Sequence, residues 1–206
     1  MNDVDVQFLF DFGSPNAYLC HKVIPEIEAR TGVKFRYVPI LLGGLFRLTG
    51  NRSPAEAFAG IKNKREYDRL EVVRFTKRHG LDAYKMNPHF PVNTLQMMRG
   101  AVGAQHDGPF EKYVDLMFAG MWEREMKLDD PEVIKAALEG AGLDSAKFLE
   151  WIQDASVKEE LIENTRRAFD QGAFGSPTFL VGSEIFFGKD RLREVEEEIV
   201  TQLCQK

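Results

Sequence analysis

Cysteine is scarce in this sequence. Of 206 residues only Cys20 and Cys204 carry a thiol, and two cysteines form neither a disulfide framework nor a structural zinc site. The four histidines do not have the spacing of a zinc protease motif, so we expect no metal. This cysteine usage favours a reducing compartment, and we expect a cytoplasmic location.

Long apolar runs and an excess of positive charge are also absent. No stretch approaches the roughly 18 uninterrupted apolar residues of a membrane span, and residues 1–5 lack the basic start of a signal peptide. The net charge is −5, from 27 basic and 32 acidic residues that are interspersed along the chain. We therefore expect no nucleic-acid partner and no membrane association, and we look for a site that binds a small-molecule substrate.

The first fifty residues predict a βαβ unit. Residues 4–10 have the composition of a buried strand, residues 14–30 that of a helix, and residues 33–39 that of a second strand. A helical crossover of this length joins parallel strands. The glycine-rich segment at residues 42–54 is predicted to be a loop.

The middle of the chain lacks strand patterns for more than a hundred residues. Strand character returns at residues 178–181 and 184–187, separated by Gly182-Ser183, which predicts a β-hairpin before a last helix at residues 190–203. We therefore predict an α/β domain from residues 1–50 plus 172–206, interrupted by an all-helical insertion at residues 51–171. The predicted insertion helices cover residues 54–60, 62–78, 94–105, 109–122, 131–141, 145–155 and 156–171.

The turn between the first strand and the first helix carries the clearest functional signal. Ser14 is a favoured N-cap residue and Pro15 suits the first helical position. The positive end of a helix favours an anion, and a thiolate would serve as well as a phosphate. A serine here can also act only as a helix cap, and the turn by itself leaves both roles open.

Five strings, in this order, resemble one family across almost the whole chain. They are Asp11-Phe12-Gly13-Ser14-Pro15, Asn51-Arg52-Ser53-Pro54, Asn87-Pro88-His89-Phe90-Pro91-Val92-Asn93-Thr94, Gly172-Ala173-Phe174-Gly175-Ser176-Pro177-Thr178-Phe179 and Phe186-Phe187-Gly188-Lys189-Asp190-Arg191-Leu192. With these strings the chain is similar to the DsbA-like branch of the thioredoxin fold, and within it to the kappa-class glutathione transferases and the 2-hydroxychromene-2-carboxylate isomerases.

The resemblance implies a thioredoxin-like fold of the DsbA and kappa type, but without its redox chemistry. Where redox members carry Cys-x-x-Cys, this chain has Ser14-Pro15-Asn16-Ala17, so no dithiol can cycle at this turn. The resemblance implies instead that glutathione is the cofactor and that Ser14 is catalytic, donating a hydrogen bond to the glutathione sulfur.

The remaining contacts to glutathione are also implied by the resemblance. Ser176 precedes Pro177, which we expect to be cis, and the Ser176 backbone would pair with the cysteinyl part of the tripeptide. Asp190 and Arg191 would receive its γ-glutamyl end, although Asp190 could equally be a helix N-cap. Asn51 would face the thiol, although an asparagine at this position can also only shape a turn.

For the second substrate we single out four residues of the insertion. Lys62 and Lys64 begin a charged helix, and one of them could hold an anionic substrate, while a solvated helix face is the simpler explanation of these charges. Phe90 could line the substrate wall. Asn93 belongs to the same string, where Asn93 and Thr94 also have the pattern of a helix cap.

The resulting functional hypothesis is a glutathione-dependent isomerase similar to the 2-hydroxychromene-2-carboxylate isomerases. A thiolate would add to an unsaturated acid, allow rotation about the resulting single bond and leave again. The alternatives are a kappa-like transferase or peroxidase, and a non-catalytic binding protein that kept the fold after losing redox cysteines. By analogy with relatives we expect a homodimer.

Overall fold

The computed structural model describes residues 4–205. Residues 1–3 and 206, the outermost residues of the predicted α/β domain, lie outside this range. Residues 1–3 also belong to the segment 1–5, in which the sequence analysis found no basic start of a signal peptide. Four strands and ten α-helices are present among the described residues. They are β1 Val6–Phe10, α1 Pro15–Thr31, β2 Phe35–Pro39, α2 Leu42–Thr49, α3 Pro54–Ala57, α4 Lys64–His79, α5 Leu95–Asp107, α6 Phe110–Trp122, α7 Pro131–Gly140, α8 Ser145–Gln153, α9 Ala155–Asp170, β3 Thr178–Val181, β4 Glu184–Phe187 and α10 Leu192–Cys204.

One mixed sheet joins the two ends of the chain. Its strand order is β2-β1-β3-β4. β1 runs parallel to β2, with Val6 opposite Phe35, and antiparallel to β3, with Leu9 opposite Thr178. β3 and β4 form the predicted hairpin. The helices α3 to α9 are inserted between the βαβ and ββα halves, which confirms the predicted thioredoxin-like fold with a large helical insertion.

The prediction of a loop at residues 42–54 is wrong for its first part. Residues Leu42–Thr49 form α2, although Gly43 and Gly44 have poor helix propensity. Tertiary packing against α9 explains the difference, because a Cβ atom built on Gly44 would already lie 3.4 Å from Cγ2 of Thr165. Glycine therefore permits the close approach of two helices here, and Leu45 becomes fully buried.

Helix boundaries in the insertion also differ from the predictions. The helix predicted at residues 54–60 ends at Ala57, and the next begins at Lys64 rather than at residue 62, after Asn63 with a positive φ of 68°. The last helix begins at Leu192, because residues Lys189–Arg191 form a separate 3-10 turn.

The main apolar core contains residues from both the sheet and the insertion. Phe10 and Phe12, at the end of β1, pack edge-on against each other with ring centroids 5.3 Å apart, and Phe12 packs on Phe118 of α6 at 4.8 Å. All three rings are fully buried. The insertion thus covers the end of β1, where the first turn begins. The division of the chain into two domains at residues 50 and 171 stays a prediction. Within residues 4–205, no helix combines the length and apolarity that a membrane crossing requires.

Candidate active site

The turn after β1 holds Ser14 at the start of α1. Its Oγ atom accepts a hydrogen bond from the Ala17 N–H at 3.2 Å, and its hydroxyl donates to the carbonyl oxygen of Ser176 at 2.8 Å. Ser14 is only 5% exposed. The helix cap that the sequence predicted is therefore present, and the same side chain directs its hydroxyl at the segment before β3.

The amino end of α1 keeps one backbone donor beside Ser14. Pro15 has no N–H, whereas Ala17 donates to the Ser14 side chain and Tyr18 to the Ser14 carbonyl. Among the described residues, the backbone N–H of Asn16 is the donor at this helix end that has no hydrogen-bond acceptor in the protein. This end of α1 therefore offers one hydroxyl, one N–H and the positive end of a 17-residue helix.

The segment before β3 is fixed against the first turn. The Ser176–Pro177 peptide is cis, as predicted. The Ser176 Oγ atom accepts from the Asp11 N–H at 3.2 Å, and the Pro177 carbonyl accepts from the Gly188 N–H at 3.0 Å. The loop that bears Ser176 is thus held between the end of β1 and the turn that leads to α10.

Asp11 is a site residue that the sequence analysis quoted in a motif without giving it a role. Its side chain is buried and accepts N–H bonds from Gly13 and Leu42, each at 2.8 Å. Burial raises the pKa of the Asp11 carboxyl above its ordinary value, while the bonds from the Leu42 and Gly13 amides and from the Thr94 side chain act in the opposite direction. An aspartate directly after an apolar strand and two residues before a glycine is the pattern of an Asx turn, which could have indicated this role.

Thr94 and Trp122 bring the insertion to the same turn. A Cβ atom on Gly13 would lie 3.1 Å from Cγ2 of Thr94, so only glycine allows this approach without displacement. The Trp122 indole N–H donates to the Phe12 carbonyl at 2.8 Å. The sequence analysis missed both residues as parts of the site, because their partners are about 80 and 110 positions away along the chain.

Asn51 lies beside the loop that carries Ser176. Its side-chain amide donates to the Phe174 carbonyl at 2.9 Å, and its Oδ1 atom accepts from the Arg52 N–H at 2.8 Å. Exposed Phe174 packs against exposed Phe187 with ring centroids 4.5 Å apart. A hydrogen bond therefore connects Asn51 to the loop that carries Ser176, which the resemblance assigns to glutathione.

Asp190 and Arg191 lie on the 3-10 turn before α10, and the prediction of Asp190 as a helix N-cap is wrong. Arg191 occupies the N-cap position of α10, and no side chain caps this helix. The Asp190 carboxylate pairs with the buried Lys189 ammonium, and Arg191 pairs with Glu194 at 2.6 Å. The acid and the base remain exposed next to Gly188, whose N–H ties this turn to Pro177.

The four predicted substrate residues fall into two groups. Phe90 is half-buried and packs on Trp122 with centroids 5.9 Å apart, so it reaches the first turn through that indole. The contacts of the other three are local. Lys64 pairs with Asp68 and lies over the Phe58 ring, and Lys62 is exposed. Asn93 accepts from the Leu95 N–H at 3.0 Å, as in an Asx turn, whereas the N-cap residue of α5 is Thr94, whose side chain makes no capping bond.

Neither cysteine lies at the first turn. Cys20 is buried in α1, where burial raises the pKa of its thiol well above the ordinary value, and Cys204 is exposed near the end of α10. Among residues 4–205, no three His, Cys, Asp or Glu side chains come together as metal ligands would. The chemical groups at the turn are thus hydroxyl, amide and carboxyl groups.

Comparison with known proteins places this geometry in a family. A model of the DSBA-like thioredoxin domain matches residues 5–200. The 2-hydroxychromene-2-carboxylate isomerase of Pseudomonas putida is 26% identical over 204 residues, covering 98% of this chain and 96% of its own. Human glutathione S-transferase kappa 1 is 25% identical over 205 residues, covering 91% and 87%.

Solved structures agree with this assignment. A structure of 2-hydroxychromene-2-carboxylate isomerase superimposes with a TM-score of 0.77 at 26% identity, covering 97% of this chain and 96% of the other. A probable DsbA oxidoreductase from Streptomyces coelicolor gives a TM-score of 0.70 at 21% identity, covering 98% and 91%, and supports the fold alone. The relatives named as isomerases and transferases support an enzyme that acts on small molecules. The turn after β1 carries Ser14 and no cysteine, and the chain that contains it belongs to the DsbA-like thioredoxin domain family.

Proposed function

We propose that this protein is a glutathione-dependent isomerase similar to the 2-hydroxychromene-2-carboxylate isomerases, with Ser14 stabilising the glutathione thiolate. The observation that carries the proposal is the position of the Ser14 hydroxyl. It lies at the positive end of α1 and is directed at the Ser176 carbonyl beside the cis Pro177. A donor at this place is suited to a sulfur anion that the protein itself does not supply.

The polar groups around the turn fit the three parts of glutathione. The Ser14 hydroxyl and the backbone N–H of Asn16 would hold the sulfur. The backbone of Ser176 would pair with the cysteinyl unit as an added strand does. The exposed Asp190 and Arg191 would receive the ammonium and carboxylate of the γ-glutamyl end.

Ser14 has one proton to donate, and this limits how it can act. In the structure that proton is directed to the Ser176 carbonyl. To donate to a sulfur, the hydroxyl must turn away from the Ser176 carbonyl. This carbonyl could then accept a hydrogen bond from a backbone N–H of the tripeptide. The same loop would thus release the catalytic donor as it binds the ligand.

Asp11 would assist by holding the turn in place. Its two carboxyl oxygens accept the Gly13 and Leu42 N–H groups, each at 2.8 Å, and burial raises the pKa of this carboxyl. We therefore assign Asp11 to positioning the turn and Ser14 to contacting the sulfur.

When bound, glutathione would supply a nucleophilic thiolate that adds reversibly to an unsaturated acid and is regenerated at the end of the isomerisation. We propose that the second substrate lies on the side of the turn where Trp122 supports Phe90. Three residues stay predicted contacts to the anionic substrate: Lys62 on the exposed segment before α4, Lys64 at the start of α4, and Asn93. A homodimer also stays a prediction.

The second candidate is a glutathione transferase of the kappa type. The observation in its favour is the similarity to human glutathione S-transferase kappa 1, which extends over 91% of this chain. The same first turn would serve this reaction, because activating a thiolate is common to both. The difference lies in whether the sulfur leaves again or stays in the product.

Two assays on purified protein test these candidates. We expect 2-hydroxychromene-2-carboxylate to isomerise only with glutathione present, at a rate that Ser14→Ala lowers and that Ser14→Thr, which keeps a hydroxyl, partly retains. Isomerisation at the same rate without glutathione would reject the proposal, and turnover of only an aryl halide would favour the transferase. If calorimetry detects no binding of glutathione at millimolar concentration, the non-catalytic binding protein becomes the better explanation.

A further inference from the structure

A second concave site lies on the flank of the molecule, between α1, α6 and α7. It is a cavity of about 650 Å³. From α1 it is lined by Tyr18, His21 and Lys22, whereas Ser14 and Ser176 do not line it. Lys22 lies eight residues after Ser14, which is about 12 Å along the helix axis. This volume is within the range of small-molecule sites, roughly 300–1,000 Å³.

The wall of this cavity on the side of α7 is built from small residues. Ala136, Ala137, Gly140 and Ala141 line it, and α6 contributes Leu116, Phe118 and Ala119 opposite them. Because these α7 residues extend no further than a methyl group, they leave open space that a longer side chain would fill. The wall is therefore apolar and suits an apolar ligand body.

Both carboxylates of the cavity already have partners. Glu123 accepts from the Tyr18 hydroxyl at 3.0 Å and lies 3.4 Å from the Lys22 ammonium. Asp115 pairs with Nε2 of His21 at 2.9 Å, and this hydrogen bond lowers the pKa of the Asp115 carboxyl. These acids are therefore committed to residues of the cavity itself.

The other His21 nitrogen anchors this arrangement to the sheet. Nδ1 of His21 lies 2.9 Å from the Tyr37 hydroxyl on β2, and the His21 ring stacks on Phe118 with centroids 4.9 Å apart. The polar floor of the cavity is thus held by contacts to α6 and to the sheet before any ligand arrives.

Two cations of the lining have no such partner. Among residues 4–205, neither Lys112 nor Arg124 lies within 4 Å of a carboxylate oxygen, in contrast to Lys22. The Lys112 ammonium lies 3.9 Å from where a Cβ atom on Gly142 would be, near the carboxyl end of α7, where the helix dipole holds a cation. With three cations facing two carboxylates, the cavity carries one positive charge in excess when His21 is neutral.

We propose that this cavity is a binding site for a small organic anion, a carboxylate on an apolar body, with Lys112 and Arg124 attracting the carboxylate from the two ends of α6 and the small residues of α7 contacting the body. The paired acids explain why the site would select an anion rather than a cation: a cationic ligand would have to displace His21 or Lys22. This inference does not depend on the proposed isomerase activity, because no residue of the Ser14 turn takes part.

A nitrogen-15 NMR titration with naphthalene-2-carboxylate tests the proposal, with the neutral naphthalene-2-carboxamide as the ligand control. We expect saturable shifts of the Ala119, Ala136 and Ala141 amides, with a Kd of about 1 mM or below for the acid and weaker binding of the amide. No saturable shift at these amides, equal affinity for both probes, or shifts confined to Ser14 and Ser176 would overturn the proposal.

Charge and volume variants locate the ligand. Because partly exposed ion pairs contribute up to about 1 kcal/mol, Lys112→Gln and Arg124→Gln should each raise the Kd about twofold to fivefold. Lys135→Gln removes the same charge from exposed α7 residue Lys135, which does not line the cavity, and should leave the Kd unchanged. Ala136→Leu should prevent binding while the spectrum stays that of a folded protein. If Lys135→Gln weakens binding as much as the two lining variants do, the proposed site is wrong.

Discussion

Replacing Ser14 by alanine separates the structural role of this residue from its chemical one. The substitution removes the N-cap bond to Ala17, at a cost of about 1 kcal/mol. It also leaves the carbonyl of the buried Ser176 without its donor, which adds about 1–2 kcal/mol. We expect the free energy of unfolding to fall by the sum, about 2–3 kcal/mol, and the Tm to fall by about 5–10 °C for a chain of this length.

The chemical effect should be visible in the bound ligand. A hydrogen bond to a charged group contributes about 1.5–3 kcal/mol, so its loss should raise the pKa of the glutathione sulfur by about 1–2 units. The assay is the ultraviolet absorbance of the thiolate, followed against pH with protein in excess. If the sulfur titrates identically with wild type and Ser14→Ala while both bind glutathione, the role given to Ser14 is refuted.

The chain offers a matched control for this substitution. Ser53 also caps a helix that begins with proline, and its Oγ atom accepts from the Glu56 N–H at 3.3 Å. Ser53→Ala should therefore cost up to about 1 kcal/mol of stability and leave the pKa of the bound sulfur unchanged. An equal shift in both variants would mean that capping, rather than contact with the sulfur, explains the effect.

Further substitutions test the turn and the packing of helices elsewhere in the molecule. Ser14→Cys, made with Cys204→Ser, should give a thiol whose pKa lies about one unit or more below 8.5 because of the helix end, measured as the pH dependence of alkylation; an ordinary thiol pKa would contradict the electrostatics assigned to α1. Burial raises the pKa of Asp11 in the folded state above its value in the unfolded state. Between these two pKa values the folded state binds more protons than the unfolded state. The contribution of Asp11 to stability is therefore full below about pH 4 and is lost as pH rises through the folded-state pKa. The free energy of unfolding in urea, measured over a pH series, should show this loss in the difference between wild type and Asp11→Asn, and a difference that does not fall as pH rises would contradict the shift. Gly100→Ala should destabilise by about 1–3 kcal/mol, because its Cβ atom would lie 2.2 Å from a buried tyrosine oxygen. Gly43→Ala on α2, where the added methyl group meets open space, should instead stabilise by about 0.5–1 kcal/mol. Thermal unfolding of Gly100→Ala and Gly43→Ala checks the packing of α5 and α2.

Much of the fold follows from local patterns in the sequence. The apolar strands, the Ser14-Pro15 helix start and the hairpin at Gly182 are interactions over a few residues, and the structure confirms each. The order of these elements then predicts the interrupted α/β fold. Helix boundaries were less accurate where packing outweighs propensity, as in α2, whose two glycines predict a loop although Gly44 packs against α9 in a helix.

The candidate site was predictable in part. The resemblance identified Ser14, Ser176 and Asn51, and the structure gathers all three around one loop. It did not identify Asp11 as a buried carboxyl, because burial there depends on α2 and Thr94. The alternative role of Asp190 as a helix N-cap was wrong because the chain forms a 3-10 turn there and pairs this residue with Lys189.

The sequence by itself determined which chemical groups are present at the first turn: a hydroxyl at a helix start and no sulfur that could undergo redox cycling. The tertiary structure alone decided what that hydroxyl faces, since Ser176 lies 162 positions away along the chain. It also decided that α6 and α7 leave a cavity beside α1 that is lined by charged and apolar residues. The physical reason is that caps and turns involve neighbours in the chain, whereas burial, long-range hydrogen bonds and cavities depend on how distant elements pack.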